Sequence, residues 1–255
     1  LSEPQSGSDA SNMRTFAKKE GNHYIINGTK NWVTNGINSD IVILFCLTEK
    51  GAGYKGISAF VVKKGTPGLS TGKKEDKLGI RASDTCELYF ENCRIPAENI
   101  IGEEGQGFKV AMKALGGGRI GIAAQALGLA RAALDASVSY AKERKQFGKV
   151  IGEFGAIQNK LADMATEVDA ARMLIWRAAK LKDEGKIYTR ESSMAKLYAS
   201  STAMRAATEC VQIHGGYGYM QEYGVERLMR DAKITQIYEG TSEIQQLVIG
   251  RDLLK

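Results

Sequence analysis

Histidine is almost absent from this 255-residue chain, with His23 and His214 the only two. That argues against a histidine-based triad and against a zinc site, both of which draw on imidazole. The four cysteines (Cys46, Cys86, Cys93 and Cys210) show no Cys-x-x-Cys spacing and no histidine nearby. They read as reduced thiols of a reducing compartment, not as a disulfide framework or a metal site. No apolar run reaches the roughly 18 residues a membrane helix needs. There is no dense basic tract either: Lys and Arg number 35 against 29 Asp and Glu, a scattered net charge of +6. Such an excess suits anionic small ligands as well as nucleic acid. Internal repeats and low-complexity linkers are missing too. Leu1-Ser2-Glu3-Pro4 is neither an initiator methionine nor a signal peptide, so the chain reads as starting in the middle of something.

What is present has two grammars. Residues 1–100 read as strands. Tyr24–Lys30 carries an Asn27-Gly28 pair that predicts a hairpin turn, and Trp32-Val33-Thr34 resumes an extended pattern beyond it. Short apolar runs follow at Ile41–Leu47, Ile57–Val62 and Cys86–Phe90. Strands at this spacing with no helices between them predict an antiparallel sheet or small barrel. Residues 101–255 follow a helical period instead. Stripes run from Ile120 to Ala141, from Ile157 to Leu181, and through Met194, Leu197, Ser201, Met204, Ala207 and Val211. With a short helix after Thr241, they predict a C-terminal antiparallel four-helix bundle. The fold class is α+β, with a β domain over 1–100 and a helical bundle over 101–255.

Several motifs invite chemistry, and each has a plainer explanation. Gly116–Gly121 fits G-x-G-x-x-G, but a helical segment precedes it where a dinucleotide fold needs a strand. A glycine-rich join between helices explains it, leaving Arg119 free to meet an anion. Arg144 and Phe147 end the first long helix, where a phosphate clamp competes with simple dipole compensation. His214-Gly215-Gly216 could turn backbone amides toward a ligand or simply form a turn. Trp32 and Thr34 share one strand face and could pack on a heterocycle, although a lone tryptophan is more often core. Glu239 precedes Gly240 and the helix-capping pair Thr241-Ser242, so its carboxylate stands at a helix mouth that attracts anions. An isolated Glu-Gly-Thr-Ser is more often a cap than a catalyst.

Order and spacing change that balance. Ser2–Ala10, Lys30–Gly36 and Gly102–Phe108 resemble the middle-domain motifs of the acyl-CoA dehydrogenases. Arg119–Ala123, Glu143–Gly148, Gln212–Gly216 and Tyr238–Ser242 resemble those of the C-terminal domain. The resemblance covers essentially the whole chain and is strongest to short-chain, butyryl-CoA-type members. It implies an FAD enzyme of fatty acid β-oxidation that desaturates a short- or medium-chain acyl-CoA and passes electrons to an electron-transfer flavoprotein. Its place would be the bacterial cytoplasm or mitochondrial matrix, as a homodimer or homotetramer without nucleic acid, metal or membrane span. An acyl-CoA oxidase-like enzyme, or a non-catalytic partner subunit of a split dehydrogenase, are the alternatives.

The same resemblance implies roles by position. Glu239 is the base that takes the α-proton. Ser2, Trp32, Val33, Thr34, Thr241, Ser242 and Glu243 contact FAD. Arg144, Phe147, Gln158, Gln212, Ile213, His214, Gly215 and Gly216 grip the FAD of a neighbouring subunit. Ser8, Arg119 and Gly240 face the substrate. Isovaleryl- and long-chain-type members carry their base where Gly118 stands, and Gly118 cannot abstract a proton. Gly116 replaces an aspartate that contacts CoA in short-chain members. A preceding all-helical domain of the family is missing, which makes the chain a fragment or half of a split enzyme.

Overall fold

A computed structural model describes all of residues 1–255, which form two compact units: 1–77 with 81–114, and 78–80 with 115–255. In the first unit, β1 (Phe16–Glu20), β2 (His23–Thr34), β3 (Ile41–Leu47), β4 (Ile57–Lys63), β5 (Leu69–Thr71) and β6 (Thr85–Pro96) form one sheet. Its order is β4-β3-β1-β2-β6-β5, and it does not close. The barrel alternative is therefore corrected to an open sheet. It is mixed, since β1 pairs with β3 in parallel while every other pair is antiparallel.

The hairpin expected at Asn27-Gly28 is also corrected. β2 runs straight through that pair, and the reversal comes earlier, at Gly21-Asn22 between β1 and β2. Gly28 takes φ +147 and marks a register shift against β6. A side chain there would strike Thr15 Oγ1 at 2.5 Å, so only glycine lets the two segments approach. The core under the sheet is aromatic and aliphatic: Tyr24, Ile26, Phe60, Leu88, Phe90 and Ile95 are fully buried.

The second unit holds most of α1 (Gly107–Glu143), the small hairpin β7 (Lys145–Gln146) and β8 (Lys149–Val150), α2 (Gly155–Asp183), α3 (Thr189–His214), α4 (Val225–Ile234) and α5 (Ser242–Leu253). Two expectations shift. The glycine run 116–118 does not join two helices but lies inside the continuous 37-residue α1. One short helix was expected after α3 and two are present, α4 and α5.

The third stripe is displaced as well. Its larger residues Met194, Leu197 and Met204 are half-buried, while Ala195, Ala199, Ala203, Ala206 and Cys210 form the true core. α3 packs against α2, α4 and α5 at once. Only small side chains permit contact on so many sides. α3 therefore buries polar residues too, among them Glu191, Ser193 and Lys196.

Candidate active site

In the first unit, a buried ion pair ties the N-terminal segment to β2. Lys30 Nζ donates to Glu3 Oε1 at 2.6 Å, with both side chains about 2% exposed. The Glu3 carboxylate also accepts from the backbone N–H groups of Arg14 and Thr15. Burial alone would raise this carboxyl, but the Lys30 ammonium and the backbone donors overcome it and hold it near 2. Neither residue was assigned a role from the sequence. Their pairing seats Ser2 beside the end of β2, where its carbonyl accepts from Asn31 N at 2.9 Å.

Trp32 and Thr34 both face outward there, while Val33 packs on the core. The tryptophan is not a core residue: it is 64% exposed and holds a left-handed φ of 59°. An exposed indole on a bulged strand offers a stacking surface. Ser8 is exposed in the loop beyond Ser2.

In the second unit, Glu239 stands in the turn between α4 and α5. It too is left-handed, at φ 54°, a conformation that costs a non-glycine residue about 1–2 kcal/mol. Thr241 caps α5 by accepting from Ile244 N. Gln245 is fully buried in that helix and donates to the carbonyls of Glu239 (3.1 Å) and Gly240 (2.8 Å). Lys196 of α3, also fully buried, donates to the Gly240 carbonyl at 2.6 Å. Tyr238 is anchored by its hydroxyl to Gln125 of α1. The turn is thus fixed from three helices, enough to hold a strained residue in place.

The carboxylate itself is left free. Glu239 Oε2 is buried with no hydrogen-bond partner, and the glycine face of α1 opens opposite it. A methyl group built at Gly118 would stand 2.5 Å from Oε2 and 3.0 Å from Cδ. Positions 118 and 239 therefore converge on one point. Burial raises the Glu239 carboxyl above its ordinary value, against the opposing charges of Arg119 and Lys196. A desolvated, raised and unpaired carboxylate has the chemistry of a general base. No protein group accepts from the Glu239 backbone N–H, so that donor is also available.

Arg119, expected to be free to meet an anion on the substrate side, is largely buried. It is 8% exposed, reaches only Ser193 Oγ at 3.5 Å, and leaves its Nε unpartnered. Lys196 and Gln245 were missed by sequence reasoning. A lysine amid the small residues of α3 was the available signal for the first, and Gln245 had none.

A second assembly lies at the far end of α1. Arg144, Gln146, Ile213, Gly215 and Gly216 line an open groove of about 420 Å³. Arg144 lies over the Tyr217 ring, 5.2 Å from its centroid. The cation and the outward glycine backbone suit an anionic, phosphate-bearing ligand. His214 lines the groove as well, while two other expected members, Phe147 and Gln158, stand apart. Phe147 is 93% exposed at the tip of the β7–β8 hairpin. Gln158 is exposed and donates to the Gly152 carbonyl. His214 turns its ring inward, stacked on Tyr140 at 4.2 Å and bonded to the Cys210 carbonyl at 2.8 Å. All four cysteines are buried and free, and burial raises each thiol, Cys46 to about 12. They are inert packing groups.

These arrangements fit what is found among known proteins. Residues 1–93 match the family model "Acyl-CoA dehydrogenase, middle domain", and residues 105–254 match "Acyl-CoA dehydrogenase, C-terminal domain". The chain is 55% identical to a short-chain specific acyl-CoA dehydrogenase of Megasphaera elsdenii, over 100% of its own length and 67% of that protein. It is also 55% identical to the mouse mitochondrial short-chain specific acyl-CoA dehydrogenase, covering 100% of its own length and 62% of that protein. The solved butyryl-CoA dehydrogenase of Megasphaera elsdenii superimposes with a TM-score of 0.99 at 55% identity, over 100% of this chain and 67% of that one. The chain thus spans about two thirds of the length of its relatives. A solved FAD-dependent dehydrogenase, 35% identical over 99% of this chain and 68% of that one, superimposes with a TM-score of 0.97. The chain belongs to the acyl-CoA dehydrogenase family.

Proposed function

We propose that this chain carries the catalytic base and much of the cofactor site of an FAD-dependent short-chain acyl-CoA dehydrogenase. The observation that carries the reading is the buried, unpartnered Glu239 Oε2 facing a glycine gap in α1. The residues present fit the cofactor. Exposed Trp32 with Thr34 offers a stacking face and a hydroxyl in the first unit. The Thr241-Ser242 cap and the Arg144–Gly216 groove offer donors and a cation in the second. Family likeness supports reading that groove as the part that receives the FAD of a neighbouring subunit, with a homodimer or homotetramer completing the enzyme.

The chemistry follows from the turn. A thioester α-proton is weakly acidic, so its removal needs a positioned base and fixed donors on the carbonyl oxygen. The free Glu239 N–H supplies one donor and its carboxylate takes the proton. Bound FAD would supply the acceptor for the β-hydride. A seated acyl chain excludes water and raises the carboxyl further, strengthening the base. The charges of Arg119 and Lys196 oppose that rise. We assign the electron acceptor as an electron-transfer flavoprotein, and the compartment as bacterial cytoplasm or mitochondrial matrix, on family likeness.

Anaerobic mixing of the FAD-loaded protein with butyryl-CoA tests the reading. Rapid bleaching of the flavin band is expected, with none in Glu239→Gln. Equal bleaching by both proteins would remove Glu239 from the chemistry. Rapid oxygen consumption with hydrogen peroxide release would instead mark an oxidase.

A further inference from the structure

Lys196 entered the chemistry just described only as a charge acting on Glu239, yet it is a fully buried ammonium bonded to the turn that carries that residue. Most lysines keep their head groups in water, and a buried one needs compensation. Its ammonium donates to one oxygen, the Gly240 carbonyl at 2.6 Å, and no carboxylate pairs with Lys196 directly. The contact falls one residue after Glu239, at the centre of a left-handed turn with φ 54° at Glu239 and 88° at Gly240. We propose that Lys196 is a positioning residue for Glu239, clamping the Gly240 carbonyl so that the turn holds its shape while a second positive charge stays beside the carboxylate. This rests on the reading of Glu239 as the α-proton base.

Three observations support the assignment. First, the clamp is specific: Lys196 and Gln245 share the Gly240 carbonyl from two different helices, so the peptide after Glu239 is fixed in direction. Second, the carboxylate carries no hydrogen bond at Oε2, so the side chain is aimed by its backbone and not by a partner. Third, the charges are arranged to tune it. Arg119 of α1 and Lys196 of α3 both oppose the effect of burial on Glu239, while Glu243 of α5 acts on Lys196, Tyr188 acts on Arg119, and Glu239 acts on Tyr238. Burial lowers Lys196 to about 8, with Glu239 opposing, so it carries its charge through neutral pH.

The sign of the effect follows. Removing a cation lets burial raise the Glu239 carboxyl further, so the base ionises at higher pH. On the acid side of that ionisation the rate falls about tenfold for each unit the limb moves. Loss of the clamp adds a separate drop, about 10²-fold if the carboxylate strays by an ångström.

Three variants of the FAD-loaded enzyme separate these effects: Lys196→Met removes clamp and charge, Lys196→Gln removes charge but keeps a donor, and Lys196→Arg keeps charge. The readout is the pH profile of flavin bleaching by butyryl-CoA, with Glu239→Gln as reference. Expected is an acid limb displaced to higher pH in Lys196→Gln and Lys196→Met, and restored in Lys196→Arg. A merely structural lysine would scale the profile without moving the limb. A limb in Lys196→Gln coincident with wild type, while Glu239→Gln is inactive, overturns the proposal alone. Rapid bleaching by Glu239→Gln overturns the base assignment and the proposal with it. If Lys196→Met does not fold, Lys196→Gln decides.

Discussion

Replacing Gly118 with alanine should make the protein more stable and much less active. Gly118 lies within α1, where glycine costs a helix about 1 kcal/mol relative to alanine. The added methyl would stand 2.5 Å from Glu239 Oε2, against the 3.4 Å at which ordinary contact begins. The carboxylate must therefore move by about 0.9 Å. Moving the free end of an unpartnered side chain costs folding little. Moving a base off its target by that distance costs on the order of 10²-fold in rate. Gly118→Ala should thus raise the thermal midpoint, measured with excess FAD, by about 2–4 °C. It should lower kcat/KM for butyryl-CoA about 100-fold while leaving FAD affinity unchanged. A rate within about twofold of wild type would refute the geometry, because Glu239 could not then be held against α1 as described.

Further outcomes follow from the other assemblies. Lys30→Met strands the buried Glu3 carboxylate and should cost about 3–5 kcal/mol in urea unfolding, the usual penalty for breaking a buried pair from one side. Because Glu3 is held near 2 when folded against an ordinary 4.5, it contributes stability above about 4.5 that is lost as pH falls toward 2. Lys30→Met should flatten that stretch of the stability curve, and an unchanged acid profile would count against the pair. Arg144→Ala should release FAD on dilution, followed by flavin fluorescence, without altering the pH profile of the enzyme that stays loaded. Retention equal to wild type would detach the groove from the cofactor.

Much of this was legible in the chain because it is local. The change from strand to helix period after Gly102 and the Thr241 cap both follow from residues near in sequence. The open sheet was not, since closure depends on whether the edge strands β4 and β5 meet, which apolar runs do not encode. Asn27-Gly28 carried a hairpin signal, yet close packing against Thr15 turned it into a bulge, a tertiary demand that overrides turn preference. The core of α3 was misplaced for a similar reason: a helix packed on several sides buries its alanines, and the large residues that mark an amphipathic stripe move to its margins. At the site, motif order singled out Glu239. Lys196 and Gln245 escaped because they act on backbone carbonyls, a role any donor of suitable length can fill and no spacing announces. Glu3 and Lys30 lie 27 residues apart and become partners only when β2 passes the N-terminal segment.

Exchange at the substrate α-carbon tests the central assignment without relying on electron transfer. The FAD-loaded protein is held in deuterium oxide with an acyl-CoA analogue whose β-carbon cannot give up hydride, and α-deuterium is followed by mass spectrometry. Wild-type protein should wash the α-position, and Glu239→Gln should leave it protonated. Equal exchange by both would contradict Glu239 as the base.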